Sequence, residues 1–238
     1  IKMTKIKYKN GSHVGIMISF AIFILFIFFV YMIIKPAFSF KDKQNILTNL
    51  KRDLVEKASA ELITLSVSIP ESPRVCTRLN NFFSENLQNR KLIAKTDSGE
   101  IFVLRNNPEN NNLQVLNNYN SFFRIYGSEE FEQIPAENPG QCPDSNYEMG
   151  NLKKEKVIFE KKILFLIQKY ESDYNNLKNE LEISSKNDFS FEFVYANKTK
   201  VSTKETNITG SVFAEKIPVI YITKNASIEA GNLFIKIW

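Results

Sequence analysis

The apolar residues of this chain fall into two patterns, one unbroken and one periodic. From Val14 to Ile34 about 21 residues pass without a charge, enough at 1.5 Å per residue to cross a hydrocarbon core about 30 Å thick. Ile16, Ile18, Phe20, Phe23, Leu25, Phe26, Phe28 and Phe29 lie in this run, and only Gly15, Ser19 and Tyr31 interrupt its apolar character. A core helix of a soluble domain keeps a polar stripe, and this run has none. A cleavable secretory peptide has an apolar region of about 7–15 residues ending at small side chains, whereas this run ends in Ile33, Ile34, Lys35 and Pro36. The pattern predicts a retained transmembrane helix over 13–35, preceded by a basic tail over 1–12.

Beyond the span the apolar positions become periodic. Ile46, Leu47, Leu50, Leu54 and Val55 recur at helical spacing, so 36–60 reads as a juxtamembrane amphipathic helix that starts shortly after Pro36. Ile63, Leu65, Val67 and Ile69 then alternate with Thr64, Ser66 and Ser68, a half-buried strand stopped by Pro70. Lys91 to Thr96 and Glu100 to Leu104 flank Asp97-Ser98-Gly99 as a hairpin. The asparagine-rich stretch from Asn106 to Asn120 reads as a loop, followed by a strand near Ser121 to Tyr126 and irregular chain from Ile134 to Asp144.

In the last third, Ile163, Ile167, Tyr170, Tyr174, Leu177 and Leu181 form one apolar seam, predicting a single long helix from Val157 to Ile183. Phe189, Phe191, Phe193 and Tyr195 alternate with Ser190, Glu192 and Val194 as a strand whose aromatic side reads as core rather than as a sugar-binding or base-stacking platform. Pro218 to Thr223 and Asn232 to Trp238 complete the set as two strands joined through Lys224-Asn225. The expected class is α+β: a mainly antiparallel sheet packed on a long amphipathic helix, forming one extracytoplasmic domain over 61–238.

Charge changes the picture by its position. The net +5 invites a nucleic-acid partner, but Lys2, Lys5, Lys7, Lys9 and Lys35 supply the whole excess, since the first acidic residue is Asp42. A nucleic-acid binder carries its basic stripe on the folded domain, which here is formally neutral. The lysine tail suits anionic lipid headgroups instead, making membrane lipid the expected partner and nucleic acid none. Four lysines ahead of the span favour a cytoplasmic N-terminus with the domain outside. Lys35, Lys41, Lys43, Lys51 and Arg52 weigh on the other side, but long domains translocate largely regardless of charge.

Cys76 and Cys142 are the two cysteines, and an even pair in an exported domain suggests one disulfide; two unrelated thiols are the alternative. Sequons begin at Asn10, Asn197, Asn207 and Asn225. With 26 asparagines, and Ser plus Thr at about 12%, about three are expected by chance, so the count shows no enrichment. Asn10 would face the cytoplasm. Asn197, Asn207 and Asn225 lie in strand-connecting segments and are the candidate glycosylation sites.

The sole histidine, His13, sits at the mouth of the span, which removes Ser-His-Asp, Cys-His and histidine-metal mechanisms from the domain. The eight glycines are scattered, with no phosphate-cradling loop or dinucleotide fingerprint. No catalytic residue, metal, cofactor or small-molecule substrate is expected. Of the acidic neighbours, Glu129-Glu130 is an ordinary surface pattern, and a carboxylate-based hydrolase is the least favoured class.

The stretch Lys7 to Met17, with Ser12-His13-Val14-Gly15 leading into the apolar run, resembles archaeal type IV pilin-like proteins with class III signal sequences. The closing Gly231 to Trp238 is similar to C-terminal strands of small archaeal envelope proteins. The resemblance implies processing at Gly11-Ser12, and association with protein partners through the transmembrane helix. Asn10 stands where that family has a basic residue before the glycine, and Ile16 where many members have glutamate. Two functions follow as expectations: a pilin-like structural or assembly protein of the cell envelope, or a tethered module binding a carbohydrate, peptide or protein through loops such as Asn106 to Asn120. The second predicts an exposed apolar or aromatic patch.

Overall fold

The computed structural model describes residues 13–70, 74–84, 87–132, 142–204, 208 and 211–238, with backbone alone at 35–41 and 107. It divides into two compact units, one up to Ile46 and one from Leu47 to Trp238. A single helix, α1 (His13–Ala58), runs through Pro36 without a break. Proline removes one backbone donor and can kink a helix without ending it, and here the helix continues past Pro36.

Within the second unit α1 buries one stripe. Leu47, Leu50, Leu54 and Ala58 are buried, at spacings of three, four and four residues. Each buried leucine contributes about 1.5–3 kcal/mol relative to exposure. The chain passes from Ala58 directly into β1 (Ser59–Ser68), where Ser59 Oγ donates to the Val55 carbonyl at 2.6 Å. The following strands are β2 (Thr77–Asn80), β3 (Lys91–Lys95), β4 (Ile101–Asn107), β5 (Asn112–Leu116), β6 (Phe122–Ser128), β7 (Glu148–Met149) and β8 (Lys153–Phe159). Helices α2 (Glu160–Ser172) and α3 (Tyr174–Glu180) precede β9 (Phe189–Val194), β10 (Lys200–Ser202), β11 (Phe213–Ile222) and β12 (Ile228–Ile237).

The strands form one 12-stranded sheet in the order β10-β9-β12-β11-β8-β1-β6-β3-β4-β5-β2, with β7 also paired to β1. Every pairing is antiparallel except β11 with β8. β4 turns the corner: Ile101 and Phe102 pair with β3, while Val103 to Asn107 pair with β5. The sheet therefore curls. Ile63 of β1 and Leu79 of β2 are five strands apart in order yet share one core with Phe82, Phe102, Val115 and Phe123. A second cluster on the opposite face joins Leu62, Ile93, Phe131, Phe159, Ile222 and Ala226.

The alternation in β1 and the hairpin of β3 and β4 match the sequence reading, and Gly99 takes φ +91 at its turn, where a side chain would be strained. Two predictions are corrected. The expected helix from Val157 to Ile183 is three elements: Lys153–Phe159 is strand, and the rest is two helices. The break falls at Asp173, whose carboxylate accepts from Asn176 N at 3.4 Å and so caps α3. The expected loop from Asn106 to Asn120 contains the end of β4 and all of β5, with Leu113 and Val115 fully buried between asparagine-rich turns. Asn111 makes that turn at φ 49 while its Oδ1 accepts from Phe83 N at 2.7 Å. Most of the stretch from Ile134 to Asp144 lies outside the described residues.

Leu54 and Ala58 of α1 and Ile163 and Leu166 of α2 line, with Ile158, Phe191, Phe193, Val219 and Leu233, an apolar cavity of only about 10 Å³. A space this small and apolar is dry core rather than a ligand site. Beside it Phe193 and Tyr221 meet edge to face, ring centroids 5.1 Å apart, over Gly231. A Cβ at Gly231 would stand 2.9 Å from both the Phe193 ring and the Val194 carbonyl, so close backbone approach requires glycine there.

Candidate functional site

The feature of this molecule least explained by its own packing is the first part of α1. His13–Ile34 is 22 residues long with a mean hydropathy of 2.9 and no part of it buried. By length and composition it can cross a membrane. Gly11 and Ser12 lie outside the described residues.

Cys76 and Cys142 stand at disulfide distance, their Cα atoms 5.4 Å apart and 66 positions apart in sequence. The bond pins a strap to the edge of β2: Arg78 N donates to the Pro143 carbonyl at 2.9 Å, and Ser145 N to the Arg78 carbonyl at 3.2 Å. Arg78 also pairs with Asp144 at 3.4 Å. An edge strand covered in this way is closed to further pairing. Of the sequons, Asn207 lies outside the described residues, while Asn197 and Asn225 are both exposed in hairpin turns.

Polar side chains elsewhere pair off rather than converge. Glu129 and Glu130 are adjacent but turn to different cations, Arg90 at 3.8 Å and Lys162 at 3.9 Å, so they do not share a site. Phe189, Phe191 and Phe193 are buried, Phe189 and Phe191 packing on Tyr170. Asp188 accepts from Tyr174 and from Lys178, each at 2.8 Å, and exchanges both backbone hydrogen bonds with Trp238 at 3.0 Å. The Lys178 ammonium, then the Tyr174 hydroxyl, hold the Asp188 carboxyl below its ordinary range, while burial and then the carboxylate push Tyr174 upward. This clasp ties the C-terminus to α3.

At the other end of the aromatic stripe, burial and the neighbouring Glu160 push Tyr195 to about 12. Burial and a 2.6 Å hydrogen bond to Glu229 raise Tyr221 to about 12. These hydroxyls stay protonated and donate, which suits a structural network rather than a base. A polar trough over β10, β9 and β12 is lined by Glu192, Lys200, Ser202, Phe234 and Lys236, with Glu192 paired to Lys200 at 3.1 Å. Thr203 spends its hydroxyl on the Phe191 backbone at 3.1 and 3.2 Å. No group of three His, Cys, Asp or Glu side chains is placed to hold a metal among the described residues. None of these clusters sets a nucleophile beside a base.

Sequence reasoning had no signal for the pairing of Asp188 with Trp238 or for the strap on β2, because both join segments remote in sequence. Comparison with known families, curated proteins and solved structures finds no match.

Proposed function

We propose that this chain is a membrane-anchored structural or assembly protein of the cell envelope, pilin-like, with its domain outside the membrane. The carrying observation is α1: one helix whose first 22 residues are apolar on all sides and exposed, and whose last turns bury a leucine stripe in a folded domain. An apolar rod of that length is stable only in lipid or against other apolar helices. The lysines before it favour a cytoplasmic N-terminus. A disulfide-distance cysteine pair fits an oxidising compartment.

Blue-native electrophoresis and crosslinking of the chain in its membrane test association through the helix. Species larger than the monomer are expected, and monomers alone after crosslinking would overturn it. The mature N-terminal residue reports processing: Ser12 supports the pilin-type pathway, and an intact tail leaves a plain anchor.

A second reading, a tethered binding module, draws support from the turn at Tyr119. Tyr119 is 65% exposed at φ 66, a conformation bulky residues rarely adopt, and its N–H donates to the Arg74 carbonyl beside exposed Val75. Carbohydrate and peptide arrays probed with the domain test it: a hit abolished by Tyr119→Ala favours this reading, and a blank array removes it.

A further inference from the structure

The two described sequons, alike in sequence and both exposed, sit in unlike surroundings. Asn197-Lys198-Thr199 forms the turn between β9 and β10, and β10 is the last strand of the sheet. Asn197, Lys198 and Thr199 are all exposed. Thr199 Oγ1 donates to Asn197 Oδ1 at 2.6 Å, and Thr199 N donates to the same oxygen at 2.9 Å. The amide and the hydroxyl that define the motif thus stand together on open surface.

Asn225-Ala226-Ser227 forms the turn between β11 and β12, and there only the asparagine is free. Ala226 is 2% exposed, packed with Leu62, Ile93 and Phe131. Ser227 Oγ accepts from the buried Lys95 Nζ at 2.9 Å, across four strands of the sheet. A transferase reading this sequon would have to draw Ala226 out of the core and take the hydroxyl from a buried ammonium, costing that ammonium a hydrogen-bond acceptor.

We infer that Asn197 is an acceptor for an N-linked glycan and that Asn225 in the folded domain is not; occupancy in the cell rests on the outward orientation proposed above. The donor is a lipid-linked oligosaccharide and the catalyst a membrane oligosaccharyltransferase. The Asn197 side-chain nitrogen bonds to C1 of the first sugar as the bond from C1 to the phosphate oxygen breaks. The lipid phosphate leaves with the electron pair, and the amide proton passes to a base of the transferase. The glycan would stand beside β10, the terminal strand of the sheet, where a bulky hydrophilic group blocks strand addition.

The test uses the purified, folded full chain in detergent, carrying a control sequon in an appended flexible tail. It is incubated with a single-subunit oligosaccharyltransferase and lipid-linked oligosaccharide, then mapped by peptide mass spectrometry. Modification is expected at Asn197 and at the control, lost at position 197 in Asn197→Gln, and seen at Asn225 only after heat unfolding. Asn225 modified as fully as Asn197 in the folded chain, or a bare Asn197 beside a modified control, would overturn the inference. Membrane orientation does not enter this assay. In cells, a control sequon left bare while the purified chain is modified marks failure of the outward orientation alone.

Discussion

The apolar span of α1 and the unit that begins at Leu47 handle hydrophobic surface in opposite ways. In the span, side chains such as Phe20, Leu25 and Phe29 stay more than 60% exposed. In the unit, Leu50, Leu54 and the inward residues of strands such as β1, β6, β9 and β12 are closed from water, and charged side chains such as Lys51 pair outward, here with Glu215 at 2.6 Å. The same helix carries both arrangements. The difference teaches that one segment leaves its apolar side chains uncovered while the other covers its own, so mutations in each should have separable effects.

The largest expected effect within the unit is loss of the Cys76–Cys142 link. Replacing both cysteines by serine should lower domain stability by about 4 kcal/mol on the chain-entropy account. Urea unfolding with and without reductant measures it, and membrane association should not change. Leu50→Ala should cost the domain about 2–5 kcal/mol by opening a cavity under α1, again without effect on extraction from the membrane. Leu25→Arg should do the reverse, adding about 2.5–3.5 kcal/mol to insertion at the helix centre while leaving the domain's Tm unchanged. If Leu25→Arg lowered the Tm as Leu50→Ala does, the span would be domain core and the contrast would collapse.

The smallest effect concerns pH. The folded Asp188 carboxyl is held below its ordinary value of 3.8, so the folded state binds that proton less readily than the unfolded chain. The stabilisation is complete above the unfolded value and is lost as pH falls through the lower folded one. Its carboxylate is 45% exposed, so solvent screening keeps the contribution small. Thermal melts between about pH 5 and 2 should show Asp188→Asn with a shallower acid decline than the parent chain.

The apolar helix was legible because no charge interrupts the run from Val14 to Ile34, and β1, β9 and the later parts of β11 and β12 because alternating apolar positions mark one buried face, while β11 begins at Phe213 and β12 at Ile228, earlier than that pattern marks. β5 was hidden because Leu113 and Val115 are only two apolar residues between asparagines, and its burial depends on the sheet curling over them. β8 was hidden because its charged first half, Lys153 to Lys156, shows no apolar alternation and its last residues, Val157 to Phe159, merge with the helical seam downstream, though Asp173 carried a capping signal. The cysteine pair was visible as a pair, but the strap it fixes on β2 depends on strand order, which local pattern does not encode. The two sequons looked equivalent for the same reason: the contact from Lys95 to Ser227 spans 132 positions.

The most direct test of the account compares the full chain with one lacking residues 1–34 by alkaline carbonate extraction of membranes. The full chain should remain in the pellet, and the shortened chain should be released while keeping the far-UV spectrum of a folded sheet domain. A full chain released by carbonate, or a shortened chain that stays in the pellet or loses its fold, would contradict the division between the apolar span of α1 and the self-contained domain.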